Sequence, residues 1–239
     1  MKFSTKIYAY GTALLLGLLS SCNLNQTPSD LIRFDDSFKT LEDLKKWDNG
    51  IYSTLRGKMG GAFIMPQEVQ ADMLSALQSA GSYTEFYVWD MKANNATLGA
   101  LYQAYYAALV DVNLVLNYSA KVELTDAEKA ANKATLDRYL GDAYFARAFY
   151  YLNLAMRWGM PYAETTADTD LAVPYATDLS PLKLLPRVTN KVVWGGILSD
   201  LDKAETLLAG VPGKEGSDEI TKDAPIADPK LTSSMGSPR

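Results

Sequence analysis

Histidine is absent from all 239 residues of this chain, and cysteine occurs once, at Cys22. The first absence removes the commonest general base and the commonest metal ligand. The second leaves no intrachain disulfide and no thiol nucleophile beyond Cys22 itself. Basic residues are outnumbered, 23 against 28 acidic, for a formal charge of −5. A phosphate backbone needs clustered Lys and Arg, so nucleic acid is not an expected partner. No nucleophile elbow, phosphate loop or zinc motif is present, and no cofactor is expected. The long apolar run at residues 7–19 falls short of the about 20 residues that a membrane-spanning helix needs. Carboxylate chemistry stays open, with Glu164 and Glu205 as candidate acids, but sequence spacing does not give the separation it requires.

Cys22 stands where a secretory signal ends. Lys2 and Lys6 precede the apolar run, and small Ser20 and Ser21 sit at the cut, which is the layout of a signal peptide. The tetrapeptide Leu19-Ser20-Ser21-Cys22 looks like a bacterial lipobox, in which the cysteine is lipidated and becomes the first mature residue. An ordinary signal peptide with a chance cysteine is the competing reading. Loss of Lys2 and Lys6 takes the formal charge from −5 to −7. The expected organisation is a signal over 1–21, a polar lipidated tether over 22–36, a helical body over 37–212 and an irregular tail over 213–239.

The body reads as all-α. Leu41, Leu44, Trp47, Ile51 and Leu55 recur at threes and fours, one face of an amphipathic helix over 37–55. Gly57, Gly60, Gly61 and Pro66 predict a turn over 57–66, with a short helix near 68–77. Residues 79–95 are irregular and aromatic. Leu98, Leu101, Tyr102, Tyr105, Leu109, Val112 and Leu116 then predict a helix that closes near Asn117. Thr125 and Glu128 have capping-box spacing. They open a predicted helix that runs to about Trp158, with Leu136, Leu140, Tyr144, Phe149 and Leu152 along it. Residues 160–188 hold four prolines and read as a long loop. Thr189 is the predicted N-cap of a last helix with Val193, Ile197, Leu201, Ala204 and Leu208 inward and Gly210 past its end. No run has convincing strand alternation. Helix pairs stacked on helix pairs are the expected architecture, as in tetratricopeptide-like repeats. Leu140-Gly141-x-x-Tyr144 partly echoes that signature, with Asp137 where its Trp would be.

Several motifs, in order, carry a more specific likeness. After the lipobox comes Leu101-Tyr102-x-x-Tyr105 leading to Asn113, then Gly141-Asp142-Ala143-Tyr144-Phe145-Ala146-Arg147-Ala148. Arg157-Trp158-Gly159-Met160-Pro161, Arg187-Val188-Thr189 and Asp200-Leu201-Asp202-Lys203-Ala204 follow. With these the chain resembles the SusD/RagB family of surface nutrient-binding lipoproteins of Bacteroidetes. Family members are longer, so the resemblance is to an N-terminal piece, and the breaker-rich tail reads as truncated. The same residues have scaffold roles. Gly141 and Ala143 admit a close helix, Arg147 can place its guanidinium on carbonyls or a carboxylate, and Arg187 with Thr189 can anchor the loop and cap the helix.

The resemblance implies a lipid-anchored protein on the outer face of the outer membrane that captures oligosaccharides or other nutrients. The implied membrane partner is a TonB-dependent, SusC-like transporter. In the family the irregular stretch before the aromatic-rich helix contributes to the ligand surface. Here it points to Trp89 as a stacking platform, Tyr83 and Tyr87 as further aromatics, and Asn94 and Asn95 as hydrogen-bonding groups. A buried Trp89 with turn-forming asparagines is the alternative. Asp168 and Asp170 with Thr165, Thr166 and Thr169 could ligate calcium, but a solvated acidic loop accounts for them better. The rival functions are a tetratricopeptide-like protein-interaction scaffold and a carboxylate glycoside hydrolase.

Overall fold

In the computed structural model, residues 37–59, 63–76, 83–178 and 185–209 are described. The expected signal, Cys22 and tether, Gly210 and the tail all lie outside them. Helix α1 spans Leu41–Met59. Thr40 and Asp43 start it reciprocally: Asp43 N–H donates to Thr40 Oγ1 (3.2 Å), and Thr40 N–H donates to Asp43 Oδ2 (3.0 Å). Leu44, Ile51 and Leu55 are buried on its inner face. The helix continues through Gly57, where a turn was expected, because open space around that glycine and a continuing hydrogen-bond ladder place no constraint on it. Two short helices follow, α2 at Met65–Gln70 and α3 at Thr84–Tyr87. The first is earlier than the expected 68–77, with Pro66 in its first turn, where a missing N–H costs nothing.

Helix α4 spans Ala96–Tyr118 and ends in a 3₁₀ turn at Ser119–Lys121. The capping box at Thr125 and Glu128 forms with both legs, but the helix that it opens, α5 at Asp126–Ala131, stops at Asn132. A separate helix, α6, spans Lys133–Trp158. The expected single helix is therefore two. Asn132 leaves helical geometry (φ −105°, ψ 12°), and both its N–H and its side-chain amide turn back onto Glu128 O. Helix α7 covers Asn190–Leu208 and packs along α6.

Helix α6 is the centre of the array, with α1, α4 and α7 against it. That position changes which residues face inward. Leu136, Leu140, Tyr144, Phe149 and Leu152 are only half-buried. The closed faces belong to Ala143, Ala146, Ala148, Tyr150, Tyr151 and Leu154. Small residues let three neighbours approach at once, and a Cβ on Gly141 would stand 2.7 Å from Leu208 Cγ. On α7, Val193, Ile197 and Ala204 are buried as expected, but Leu201 is exposed and Asp200 lies inside instead. Thr189 holds the N-cap position without a side-chain hydrogen bond.

The loop before α7 contains two strands that the sequence did not suggest. β1 (Leu171–Pro174) pairs antiparallel with β2 (Arg187–Thr189), with an irregularity in the register. Side chains hold this ribbon to the helices. Arg187 donates to the carbonyls of Ala172 (2.6 Å), Leu171 (2.9 Å) and Trp158 (3.0 Å). Tyr106 donates to Pro174 O (2.7 Å), and the Tyr151 hydroxyl both donates to Ala176 O and accepts from Ala176 N–H. Asp168 pairs with Lys191, Asp170 accepts from Thr166, and among the described residues no group of acids could hold a metal ion.

Candidate functional site

The segment from Tyr83 to Asn95 presents aromatic side chains to solvent because of how it is pinned. α3 is a single turn, too short to be stable by itself. Phe86, 0% exposed, anchors it in the protein, and the Tyr83 ring leans on Phe86 at 6.1 Å between centroids. Both ends are closed by aromatic residues with positive φ, Tyr83 at 62° and Trp89 at 56°. Bulky side chains seldom take this left-handed conformation, at a cost of about 1–3 kcal/mol each. Backbone bonds hold it in place: Phe86 and Tyr87 N–H both donate to Tyr83 O, Trp89 N–H to Phe86 O and Asp90 N–H to Glu85 O. With Phe86 turned in, the following three residues turn out. Tyr87 is 41%, Val88 53% and Trp89 65% exposed.

The far end of the segment is fixed by Asn95, the N-cap of α4. Its Oδ1 accepts from Leu98 N–H at 2.9 Å, and its Nδ2 donates to Glu85 Oε1 at 2.8 Å. The second bond ties α3 to the start of α4. Glu85 is held below the usual carboxylate range, first by its own backbone N–H and then by Asn95. Gln70 of α2 donates to Met91 Sδ at 3.2 Å, which braces the segment from behind. Asn94 is exposed.

The residues singled out from sequence thus divide. Trp89 and Tyr87 form an open edge with Asn94 nearby in the chain, and Tyr83 is half-buried against Phe86. Asn95 is committed to capping and to Glu85. The segment also exposes Val88 and holds Asn95 through Glu85. A one-turn helix gives no periodicity from which their placement could be read.

Among the long helices, the buried polar groups pair with one another. Arg147 is 7% and Asp200 2% exposed, and they pair at 2.7 and 2.8 Å, with Arg147 Nη1 also donating to Asn113 Oδ1 at 3.1 Å. The acids that the fold brings together are Asp48 of α1 and Asp142 of α6, rather than Glu164 and Glu205, both of which are exposed. Asp48 is 3% exposed. Burial first, and then the charge of Asp142, push its carboxyl up to about 7. Asp142 is likewise raised by burial and accepts from Tyr52. The charge of Asp142 thus disfavours ionisation of Asp48 across the two helices.

A shallow groove of about 490 Å³ lies between α6 and α7, lined by Leu140, Tyr144, Asp202 and Leu207 among others. No helix among the described residues is long and apolar enough to cross a membrane.

Comparison with known proteins gives a consistent likeness. The SusD-like family model described as starch-binding associating with outer membrane matches residues 25–228. A SusD superfamily protein of Bacteroides vulgatus superposes with a TM-score of 0.58 at 20% identity, over 71% of this chain and 38% of that one. A SusD superfamily protein of Bacteroides thetaiotaomicron gives 0.54 at 20% identity, over 70% and 37%. A SusD-like protein of Bacteroides fragilis gives 0.55 at 20% identity, over 80% and 34%. The matched part of this chain therefore spans well under half the length of each solved relative. No curated protein matches it.

Proposed function

This chain belongs to the SusD-like family, and from that membership together with the exposed 87–89 edge we infer that it is a glycan-binding lipoprotein of the bacterial surface. Lipid on Cys22 tethers it to the outer membrane, and the captured oligosaccharide passes to a TonB-dependent, SusC-like transporter. No catalytic step is assigned to it.

The single observation that carries this reading is Trp89, held 65% exposed in a backbone conformation unfavourable to its own side chain. Among the described residues, nothing packs on this indole that would account for its conformational cost. Sugar rings have apolar C–H faces that lie on aromatic planes and hydroxyl edges that need polar partners. Trp89 and Tyr87 supply the planes, and Asn94 supplies an amide. Tyr83 and Asn95 position them, Tyr83 through Phe86 and Asn95 through Glu85 and the α4 terminus.

The groove between α6 and α7 favours a second reading, a tetratricopeptide-like scaffold whose partner is a protein. Electrophoresis of the purified chain through gels cast with starch and other polysaccharides separates the two. Retarded migration in at least one polysaccharide supports the glycan reader. Unretarded migration of a folded chain in every gel favours the scaffold. Incorporation of labelled palmitate, abolished by Cys22→Ala, is the expected result for the anchor.

A further inference from the structure

A smaller cavity opens beside α2, and none of its lining residues belongs to the 87–89 edge. Its volume is about 210 Å³, room for about seven water molecules at roughly 30 Å³ each. It is thus suited to a molecule smaller than an oligosaccharide. Its aromatic walls are Phe63, Tyr105 and Phe149, with the Phe63 and Tyr105 rings edge-to-face at 5.0 Å.

Four polar side chains also line it: Lys58 from the last turn of α1, Gln67 and Glu68 from α2, and Asn153 from α6. Their hydrogen-bonding capacity is mostly unused. Among the described residues, the Lys58 ammonium donates no hydrogen bond and has no carboxylate within 4.0 Å. It stands 4.2 Å from the Phe63 ring centroid, and burial lowers its pKa. Asp111 of α4 is the acid that faces it, beyond ion-pair distance and itself raised by burial. The Glu68 carboxylate and the Gln67 amide likewise have no hydrogen-bond partner among the described residues. Asn153 gives its Nδ2 to Phe149 O at 2.8 Å, which leaves its Oδ1.

A cation and an anion therefore line one aromatic-walled cavity without pairing with each other. A neutral sugar would answer neither charge, a simple anion would meet Glu68, and a simple cation would meet Lys58. A small molecule with both charges and an apolar body answers all three features. We propose that this cavity binds a free α-amino acid with an apolar side chain. Its carboxylate lies toward Lys58, its ammonium toward Glu68, and its side chain between Phe63 and Phe149.

Calorimetric titration of the full chain with L-leucine, leucinamide, N-acetyl-leucine and glucose tests this. Leucine is expected to bind saturably. Leucinamide, which lacks the carboxylate, and N-acetyl-leucine, which lacks the ammonium, are each expected to bind at least 10-fold more weakly. Lys58→Gln should erase the difference between leucine and leucinamide, and Glu68→Gln that between leucine and N-acetyl-leucine. Trp89→Ala should leave leucine binding intact, so failure here is distinct from failure of the glycan site. Absence of saturable leucine binding by the folded chain, equal affinity for the blocked analogues, or displacement of leucine by glucose would overturn the proposal.

Discussion

Arg147 of α6 and Asp200 of α7 face each other through two parallel hydrogen bonds, Nε to Oδ2 at 2.7 Å and Nη2 to Oδ1 at 2.8 Å, in the closed interior. The residues are 53 positions apart in sequence and fix the register of two long helices against each other. Asn113 of α4 takes a third donor from the same guanidinium and passes its own Nδ2 to Ala176 O. Arg147 and Asn113 together thus join α4, α6, α7 and the segment after β1.

Removing one partner of that pair leaves a buried charge uncompensated. Asp200→Ala is expected to destabilise the protein by about 3–5 kcal/mol. The double variant Arg147→Met with Asp200→Leu should recover much of that loss, because neither charge then needs a partner. Urea midpoints of the two variants check the ordering. A double variant as unstable as Asp200→Ala alone would contradict it.

Trp89 with φ 56° makes a prediction about stability that is separate from binding. Glycine takes this conformation freely, so Trp89→Gly is expected to be more stable than Trp89→Ala by about 1 kcal/mol, although glycine usually costs stability. Comparison of the two thermal midpoints measures it. The reverse order would mean that the turn is not strained.

The helix register of this chain is legible because buried residues recur at threes and fours. The Arg147 motif and Asp200 could be picked out, although their contact with each other could not. On α6, helical periodicity does not identify the inward residues. Amphipathic reasoning puts the largest aliphatic side chains inside, but a helix flanked by three others closes on Ala143, Ala146 and Ala148 and pushes Leu136 and Leu140 toward the edge. The break at Asn132 was invisible because neither Gly nor Pro marks it. The β1–β2 ribbon depends on Arg187 bridging to three carbonyls, and no local alternation announces it. At the site, exposure of Trp89 and Tyr87 follows from Phe86 pointing inward. Asn95 shows its cap only once α4 is seen to begin at Ala96.

Asn95 has two roles that one substitution separates. Asn95→Asp keeps the cap, since a carboxylate also accepts from Leu98 N–H. It loses the donor to Glu85 and sets two carboxylates together. Little change in helicity is expected, at most a few tenths of a kcal/mol from the cap, with weakened glycan retention as the 83–94 segment loosens. Asn95→Ala should lose the cap as well, a further cost of about 1 kcal/mol. Equal retention by wild type and Asn95→Asp would remove Asn95 from any positioning role.

Asp48 gives the fold a pH dependence of definite sign. Its carboxyl is raised to about 7 in the folded chain against the ordinary 3.8, so between those values the folded state holds a proton that the unfolded state releases. Stability is then greatest below about pH 4 as far as this group is concerned, falls as pH rises and levels off above about pH 7. Every tenfold difference in proton affinity between the folded and unfolded chain corresponds to about 1.4 kcal/mol. Asp48→Asn keeps a donor toward Asp142 and removes the titration. Urea midpoints at pH 5 and pH 8 should differ less in that variant than in wild type, and the variant should be the more stable at pH 8. An unchanged difference would show that Asp48 is not the titrating group.

The affinity of wild type and Trp89→Ala for a starch-derived maltooligosaccharide, by calorimetry at matched far-ultraviolet circular dichroism, decides whether the 87–89 edge is a sugar platform. A loss of at least 10-fold, about 1.4 kcal/mol, with helical content unchanged is the expected outcome. Equal dissociation constants for the two proteins would mean that Trp89 is exposed for some other reason and that glycan is held elsewhere.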